Sequence, residues 1–192
     1  KTLTVRVMGG GQMHPARYAQ EMWTALRAVK ASLAEERTPI WWELGNEWNL
    51  ESEGFQAAPK RYIAWVRGVV SALRLWGDWQ HGLFAAAPSP QDPAHREQLV
   101  AVLSTLIEYQ LVHGQALHAY NEIATGIMEQ AAVLDEAGLG FVPLIGSELG
   151  SILSSRMDEF KHLDDLPLIA YHIWVVDGKS NGAWDESFIL SR

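Results

Sequence analysis

Two glutamates, Glu47 and Glu148, each close an apolar stretch of the chain, and an amide and indoles flank the first of them. In Trp41-Trp42-Glu43-Leu44-Gly45-Asn46-Glu47-Trp48-Asn49 an apolar strand pattern runs straight into Asn46-Glu47, with Trp48 next. A carboxylate that gives or takes a proton, an amide that anchors a hydroxyl and a flat apolar ring that stacks on a sugar are the parts that cleavage of a glycosidic bond uses. The plainer alternative for Glu47 is a strand-end carboxylate paired with a neighbouring cation. For Glu148 it is a carboxylate at a helix N-terminus, stabilised by the dipole.

Other residues with chemical potential sort less sharply. His118 and Tyr120 share one strand, Gln115 to Asn121, where His118 either orients a carboxylate, binds a hydroxyl or is a hydrogen-bonded core histidine. Glu43 lies four residues before Glu47 with the same inward parity, so inside a closed structure it must be paired and is read as support. His172 shares parity with Trp174 and is assigned to packing. Glu122 is read as a loop or helix-start carboxylate. The seven histidines show no H-E-x-x-H or similar spacing, so neither a catalytic metal nor any other cofactor is expected. No G-x-S-x-G elbow occurs, and Gly9-Gly10-Gly11 fits neither G-x-G-x-x-G nor a P-loop.

Composition narrows the partners. Fifteen basic against twenty-three acidic residues leave a net charge of −8, which argues against nucleic acid or an anionic membrane surface and favours a neutral ligand. The 192 residues contain no cysteine, excluding disulfides and thiolate metal sites. No apolar run reaches the length of a membrane span, and Lys1 to Val5 reads as a strand rather than a signal peptide. Nine tryptophans suit carbohydrate binding, although Trp23, Trp65, Trp76 and Trp79 are assigned to an aromatic-rich core.

The elements that must position these residues alternate between the periods of strand and helix. Strands are expected at Leu3 to Met8, Ile40 to Glu47, Gly82 to Ala87, Gln115 to Asn121, Phe141 to Ser147 and Leu168 to Val176. Helices are expected from Pro15 to Lys30, after Pro59, from an Asp92 cap with Pro93 at its first position, and through Ile123 to Leu134 up to Gly138. A weaker helix is expected around Ser154 to Leu163, and the tail from Asp185 to Leu190 begins another. Strands apolar on both faces and separated by helices belong to a parallel sheet in one domain. An open doubly wound sheet and a closed barrel both put their sites at the carboxyl ends of the strands. Only the barrel brings Glu47 and Glu148, three units apart, to one mouth.

Here the motifs carry a resemblance. Trp42-Glu43-Leu44-Gly45-Asn46-Glu47 resembles the fourth-strand motif of the clan of retaining glycoside hydrolases with a (β/α)8 barrel that includes the cellulase and β-mannanase families. Ile145-Gly146-Ser147-Glu148-Leu149-Gly150 is similar to its seventh-strand nucleophile segment, His118-Ala119-Tyr120 to its sixth-strand His-x-Tyr, and Trp174 stands where it places an eighth-strand aromatic platform. The resemblance implies a TIM barrel that is incomplete: residues 1–192 form one domain of six β/α units, matching strands three to eight. The first two strands, and the arginine commonly carried on the second, lack a counterpart. It therefore implies a fragment of a larger chain, or a barrel completed by another polypeptide.

The resemblance further implies cleavage of β-linked poly- or oligosaccharide by a retaining mechanism, in a secreted or extracellular protein. Glu47 would be the acid/base, with a raised pKa, and Glu148 the nucleophile, held by Tyr120. Asn46 would bind the sugar 2-hydroxyl, His118 a carboxylate or hydroxyl, and Trp174 and Trp48 would face the sugar. The rivals are a non-catalytic carbohydrate-binding or structural barrel module and an α/β enzyme of other chemistry using Gly9 to Gly11.

Overall fold

The computed structural model describes residues 3–7, 13–32, 39–51, 59–77, 79–90, 92–120, 122–151 and 165–175. In chain order the elements are β1 (Leu3–Arg6), α1 (Pro15–Ser32), β2 (Ile40–Leu44), α2 (Trp48–Glu51), α3 (Pro59–Trp76), β3 (Gly82–Ala85), α4 (His95–Glu108), β4 (Gly114–Tyr120), α5 (Ile123–Glu136), β5 (Leu144–Ser151) and β6 (Ala170–Val175). All neighbouring strands are parallel, and the sheet order is β1-β2-β3-β4-β5-β6. A doubly wound sheet reverses direction at a switch point, whereas here every crossover steps the same way. The fold is α/β, with parallel strands forming an incomplete TIM-like barrel. Among the described residues no pairing joins β6 back to β1, and only the first four strands are followed by a described helix. Six complete units are therefore not seen.

The pleat sends alternate residues to two different environments. Trp42 and Leu44 turn toward the helices and join Tyr18, Met22, Tyr62, Val66 and Leu73 in the main core. On the concave side Phe84, Ala116, Ile145 and Ala170, with Trp41 against them, make a thin apolar floor. The strand-borne site lies on this concave side. Of the four tryptophans assigned to the core, Trp65 is buried and Trp23 and Trp79 pack against it, but Trp76 is half exposed.

Several boundaries differ from the sequence expectation. Helix α4 starts at His95 rather than at Pro93, because Asp92 spends its side chain on the Ala94 N–H (2.9 Å) and closes a turn with its carbonyl to the His95 N–H. Glu47 lies beyond β2 and not within it, while Glu148 sits inside β5, which begins only at Leu144, leaving Phe141 exposed. Gly138, with φ +75°, ends α5 in the left-handed conformation expected of it. The glycine run Gly9 to Gly11, the helix expected at Ser154 to Leu163 and the tail from Asp185 lie outside the described residues.

Candidate active site

The end of β2 is pinned from the helix side by two phenols. Tyr18 on α1 donates to the Glu43 carbonyl (3.3 Å) and accepts from the Gly45 N–H (3.1 Å). Tyr62 on α3 donates to the Leu44 carbonyl (2.8 Å) and accepts from the Ala86 N–H (2.8 Å). Each buried backbone group at the strand end thus finds a partner without extending the strand. Gly45 then turns the chain with φ +100°, a value that favours glycine, and delivers Asn46 and Glu47 to the concave side. Buried Asn49 fastens the following turn by donating to Asp92 (3.0 Å) and Gln98 (3.2 Å) and accepting from the Ser89 N–H (2.6 Å).

Strand β4 contributes His118 and Tyr120, two residues apart and hence on one face. Strand β5 supplies Ser147 and Glu148 through an irregularity in register: Leu117 pairs with Gly146, but His118 pairs with Glu148. Ser147 is the extra residue of this bulge. Two consecutive side chains can therefore address β4, which regular alternation would forbid.

These elements converge on one hydrogen-bonded cluster. Tyr120 Oη donates to Glu148 Oε2 (2.6 Å) and lies 3.1 Å from Glu47 Oε1. His118 Nδ1 donates to Glu47 Oε1 (3.1 Å), and its Nε2 to Ser147 Oγ (3.1 Å). Arg6, at the end of β1, donates through Nε (3.0 Å) and Nη2 (2.6 Å) to Glu43 Oε2, and through Nη1 to both Asn46 Oδ1 and Glu148 Oε1. One oxygen of Glu47, one of Glu148 and a ring nitrogen of His118 all lie within 4.8 Å of one another. The two carboxylate side chains are each about one-sixth exposed, while His118 is fully buried.

Charge fixes the protonation of this cluster. Burial alone would discharge His118, but its contacts with the Glu43 and Glu47 carboxylates and the nearby Glu148 overcome it and hold the imidazole pKa up at about 9. It is an imidazolium at neutral pH. Burial likewise pushes Glu43 upward, yet the Arg6 charge and the His118 contact bring it down to about 2. For Glu47 the expectation of a raised pKa is corrected. Burial does push it upward, but the hydrogen bond and charge of His118, with the Tyr120 contact, hold it below the usual carboxylate range. The neighbouring Trp48 does not face this carboxylate as a bare apolar wall.

Trp48 requires the second correction. Only 2% exposed, its indole lies in the core parallel to Tyr62, with centroids 5.2 Å apart, so that face is not offered to a sugar. Asn46, Glu47, His118, Tyr120 and Glu148 come together as one group. Trp174, on β6, pairs by its backbone with Gly150 of β5, and its side chain and that of His172 lie outside what is described.

Arg6 and Ser147 were missed. Arg6 stands opposite Glu43 in register, on the polar parity of an alternating strand, and Glu43 called for a cation. That was the readable signal. It also supplies an arginine where none was expected, on the strand next to β2. Ser147 had no signal, because a bulge is a property of pairing.

Two further chemistries can be weighed. Glu47, His118 and Glu148 offer atoms close enough to share a metal ion, and binding one there would require His118 to release the proton that its carboxylate neighbours favour. Ser147, His118 and Glu47 also have the spacing of a nucleophile-base-acid triad. An imidazolium cannot accept the serine proton, and Ser147 is only 5% exposed.

No protein-family model and no curated protein sequence matches the chain. Solved structures do. A family 51 α-L-arabinofuranosidase from Bifidobacterium longum superposes with a TM-score of 0.55 at 18% identity, covering 82% of this chain and 38% of that one. A glucosidase from Croceicoccus marinus gives 0.55 at 14% identity, covering 84% and 38%. The chain thus spans less than two-fifths of the length of either, and the likeness is one of fold.

Proposed function

We propose that this chain carries the catalytic pair of a retaining glycoside hydrolase acting on β-linked poly- or oligosaccharide. The observation that carries the reading is the approach of Glu47 and Glu148 oxygens to within 4.8 Å. Retaining enzymes hold their two carboxyl groups about 5–5.5 Å apart, whereas inverting ones leave room for water at about 6.5–9.5 Å. Both fold neighbours are named as glycosidases, one of them for an α-L-arabinofuranosidic bond, so linkage is a matter for assay. Further polypeptide would complete the wall of the barrel.

In this reading Glu148 attacks the anomeric carbon, with one oxygen oriented by Tyr120 and the other by Arg6. Arg6 also fixes Asn46 by its carbonyl oxygen, which turns the amide NH2 outward as a donor for the sugar 2-hydroxyl. Glu47 protonates the leaving oxygen and later activates water. In the free site His118 holds Glu47 ionised, so its acid form belongs to the sugar-bound complex. A sugar seated over Glu47 excludes water and adds to the desolvation that already pushes this carboxyl upward.

The test replaces each carboxylate in the full chain by its amide. Glu47→Gln is expected to lose about 10²–10⁴-fold in kcat on glycosides with poor leaving groups and far less on activated aryl glycosides, which need no acid. Glu148→Gln should abolish turnover of both, with sugar binding retained. NMR of the first-formed product should show retained anomeric configuration. Wild-type turnover in both variants would remove these two carboxylates from the catalytic role, and absence of hydrolysis by the wild type with sugar binding unchanged in both variants would instead mark a non-catalytic carbohydrate-binding module.

A further inference from the structure

The cluster contains a carboxylate with no part in the chemistry above. Glu43 is 1% exposed, one residue of an apolar strand, and placed where ionised side chains are costly. Beside it stand two cations in unusual proximity: Arg6 Nη2 and His118 Nε2 are 3.4 Å apart. Two positive groups at that distance in a buried site repel strongly unless an anion lies between them. Glu43 is the group that touches both. Its Oε2 takes Arg6 Nε and Nη2, and its Oε1, which has no hydrogen bond, faces His118 Nε2 at 3.6 Å.

What these cations do at their other ends gives Glu43 its reach. Arg6 uses Nη1, the nitrogen that Glu43 does not occupy, to hold Asn46 and Glu148. His118 uses Nδ1, the nitrogen turned away from Glu43, to hold Glu47. Building on the glycosidase reading, we infer that Glu43 is a positioning residue for both catalytic carboxylates: by compensating Arg6 and His118 together, it lets each cation point its free nitrogen at one of them. Arg6 is suited to this because its planar fork fixes the direction of Nη1 once Nε and Nη2 are engaged. Lysine, a point charge, would not transmit the orientation.

The experiment is made on the full chain with Glu43→Gln, Arg6→Met and the double variant, read two ways. NMR of the imidazole follows the His118 titration independently of any activity, and steady-state kinetics on an activated aryl glycoside reads the nucleophile. Glu43→Gln is expected to lower the His118 midpoint by at least about one pH unit, through loss of the fully buried anion that faces its Nε2. It should also reduce kcat about 10²-fold, with KM changed much less, as misplacement of a reacting group does. Acting through Arg6, its effect on kcat should vanish in the Arg6→Met background.

An unmoved His118 midpoint, or kcat losses that simply multiply in the double variant, overturns the inference. A moved midpoint in a protein that hydrolyses no glycoside overturns the glycosidase reading while supporting the role of Glu43 as the shared counter-ion. Should Glu43→Gln not fold, Arg6→Lys carries the test, since it keeps a positive charge beside Glu43. Loss of kcat with unchanged far-UV ellipticity is then expected, and wild-type kcat overturns the inference.

Discussion

Toward the helices β2 presents Trp42 and Leu44, fully buried among aromatic and aliphatic side chains of α1 and α3, and toward the concave side it presents Trp41 and Glu43. The same contrast runs along the sheet. The helix side is a broad apolar layer closed by aromatic contacts such as Tyr18 on Trp65 at 4.7 Å, whereas the concave side sets Arg6, Glu43, His118 and Glu148 above a floor of a few apolar residues. Apolar burial is non-directional and additive, so the helix side supplies stability. The concave side spends its alternate positions on charges that stabilise only when every partner is present. A strand's two-residue period lets one short segment serve both ends without compromise between them.

The sharpest way to break the contrast is to damage one side and read both. Trp42→Ala removes a fully buried indole from the helix layer and is expected to cost about 3–5 kcal/mol in urea unfolding. Hydrolysis per folded molecule should be retained. A comparable loss of kcat in the folded fraction would show that the two faces are not separable. Next comes a pH test of the concave side. Because the folded pKa of His118 is raised, its contribution is fully present below the unfolded value of about 6.5 and lost as pH rises through about 9. Glu43 is depressed, so its contribution is present above the usual carboxylate range and lost as pH falls toward 2. Urea midpoints should therefore decline between pH 6.5 and 9, and His118→Gln should flatten that decline. An equal slope in the variant would assign the effect elsewhere.

The two sides also differ in how far they could be read from the sequence. The helix side was legible because burial leaves a periodic trace: Tyr62, Val66, Val69 and Leu73 recur at helical spacing and all lie in the core. Glu47 and Glu148 were legible as carboxylates that end apolar runs, and His118 and Tyr120 as alternate residues of one strand. What failed depended on pairing or on neighbours distant in sequence. Arg6 reaches Glu148 across 142 positions, and the bulge at Ser147 exists only against β4. Trp48 was misread because an indole next to a catalytic carboxylate fits either a sugar platform or a core ring. A short helix, α2, turns it inward onto Tyr62. The Glu47 pKa was misjudged for the same reason, since the cation that lowers it comes from β4.

Tyr62 sits on the boundary of the two sides and sharpens the comparison. Tyr62→Phe keeps the ring that stacks on Trp48 but removes the hydroxyl shared between the Leu44 carbonyl and the Ala86 N–H. Both backbone groups are then buried without that partner, at a cost of about 1–3 kcal/mol. Because Leu44 precedes the turn that delivers Glu47, this variant should lower kcat as well, unlike Trp42→Ala. Stability loss with unchanged kcat would mean that the turn at Gly45 holds its shape without the phenol.

The smallest effect is expected where a charge pair belongs to neither side. Arg96 on α4 and Glu129 on α5 form an ion pair whose side chains are 49% and 51% exposed. Water and salt already solvate both groups, and fixing two long side chains costs rotamer entropy, so Arg96→Ala should shift stability by less than about 1 kcal/mol. The Arg6–Glu43 pair uses the same two residue types with side chains only 15% and 1% exposed. There, Arg6→Met leaves a buried carboxylate without its main cation, and the expected cost is about 3–5 kcal/mol. Measuring both variants by urea unfolding at low and high salt makes the contrast quantitative. Raising salt should shrink the Arg96 effect toward zero and leave the Arg6 effect nearly unchanged. An equal salt response would mean that water reaches the concave cluster freely, and the orientation of Glu47 and Glu148 would then have to come from the turn and the bulge alone.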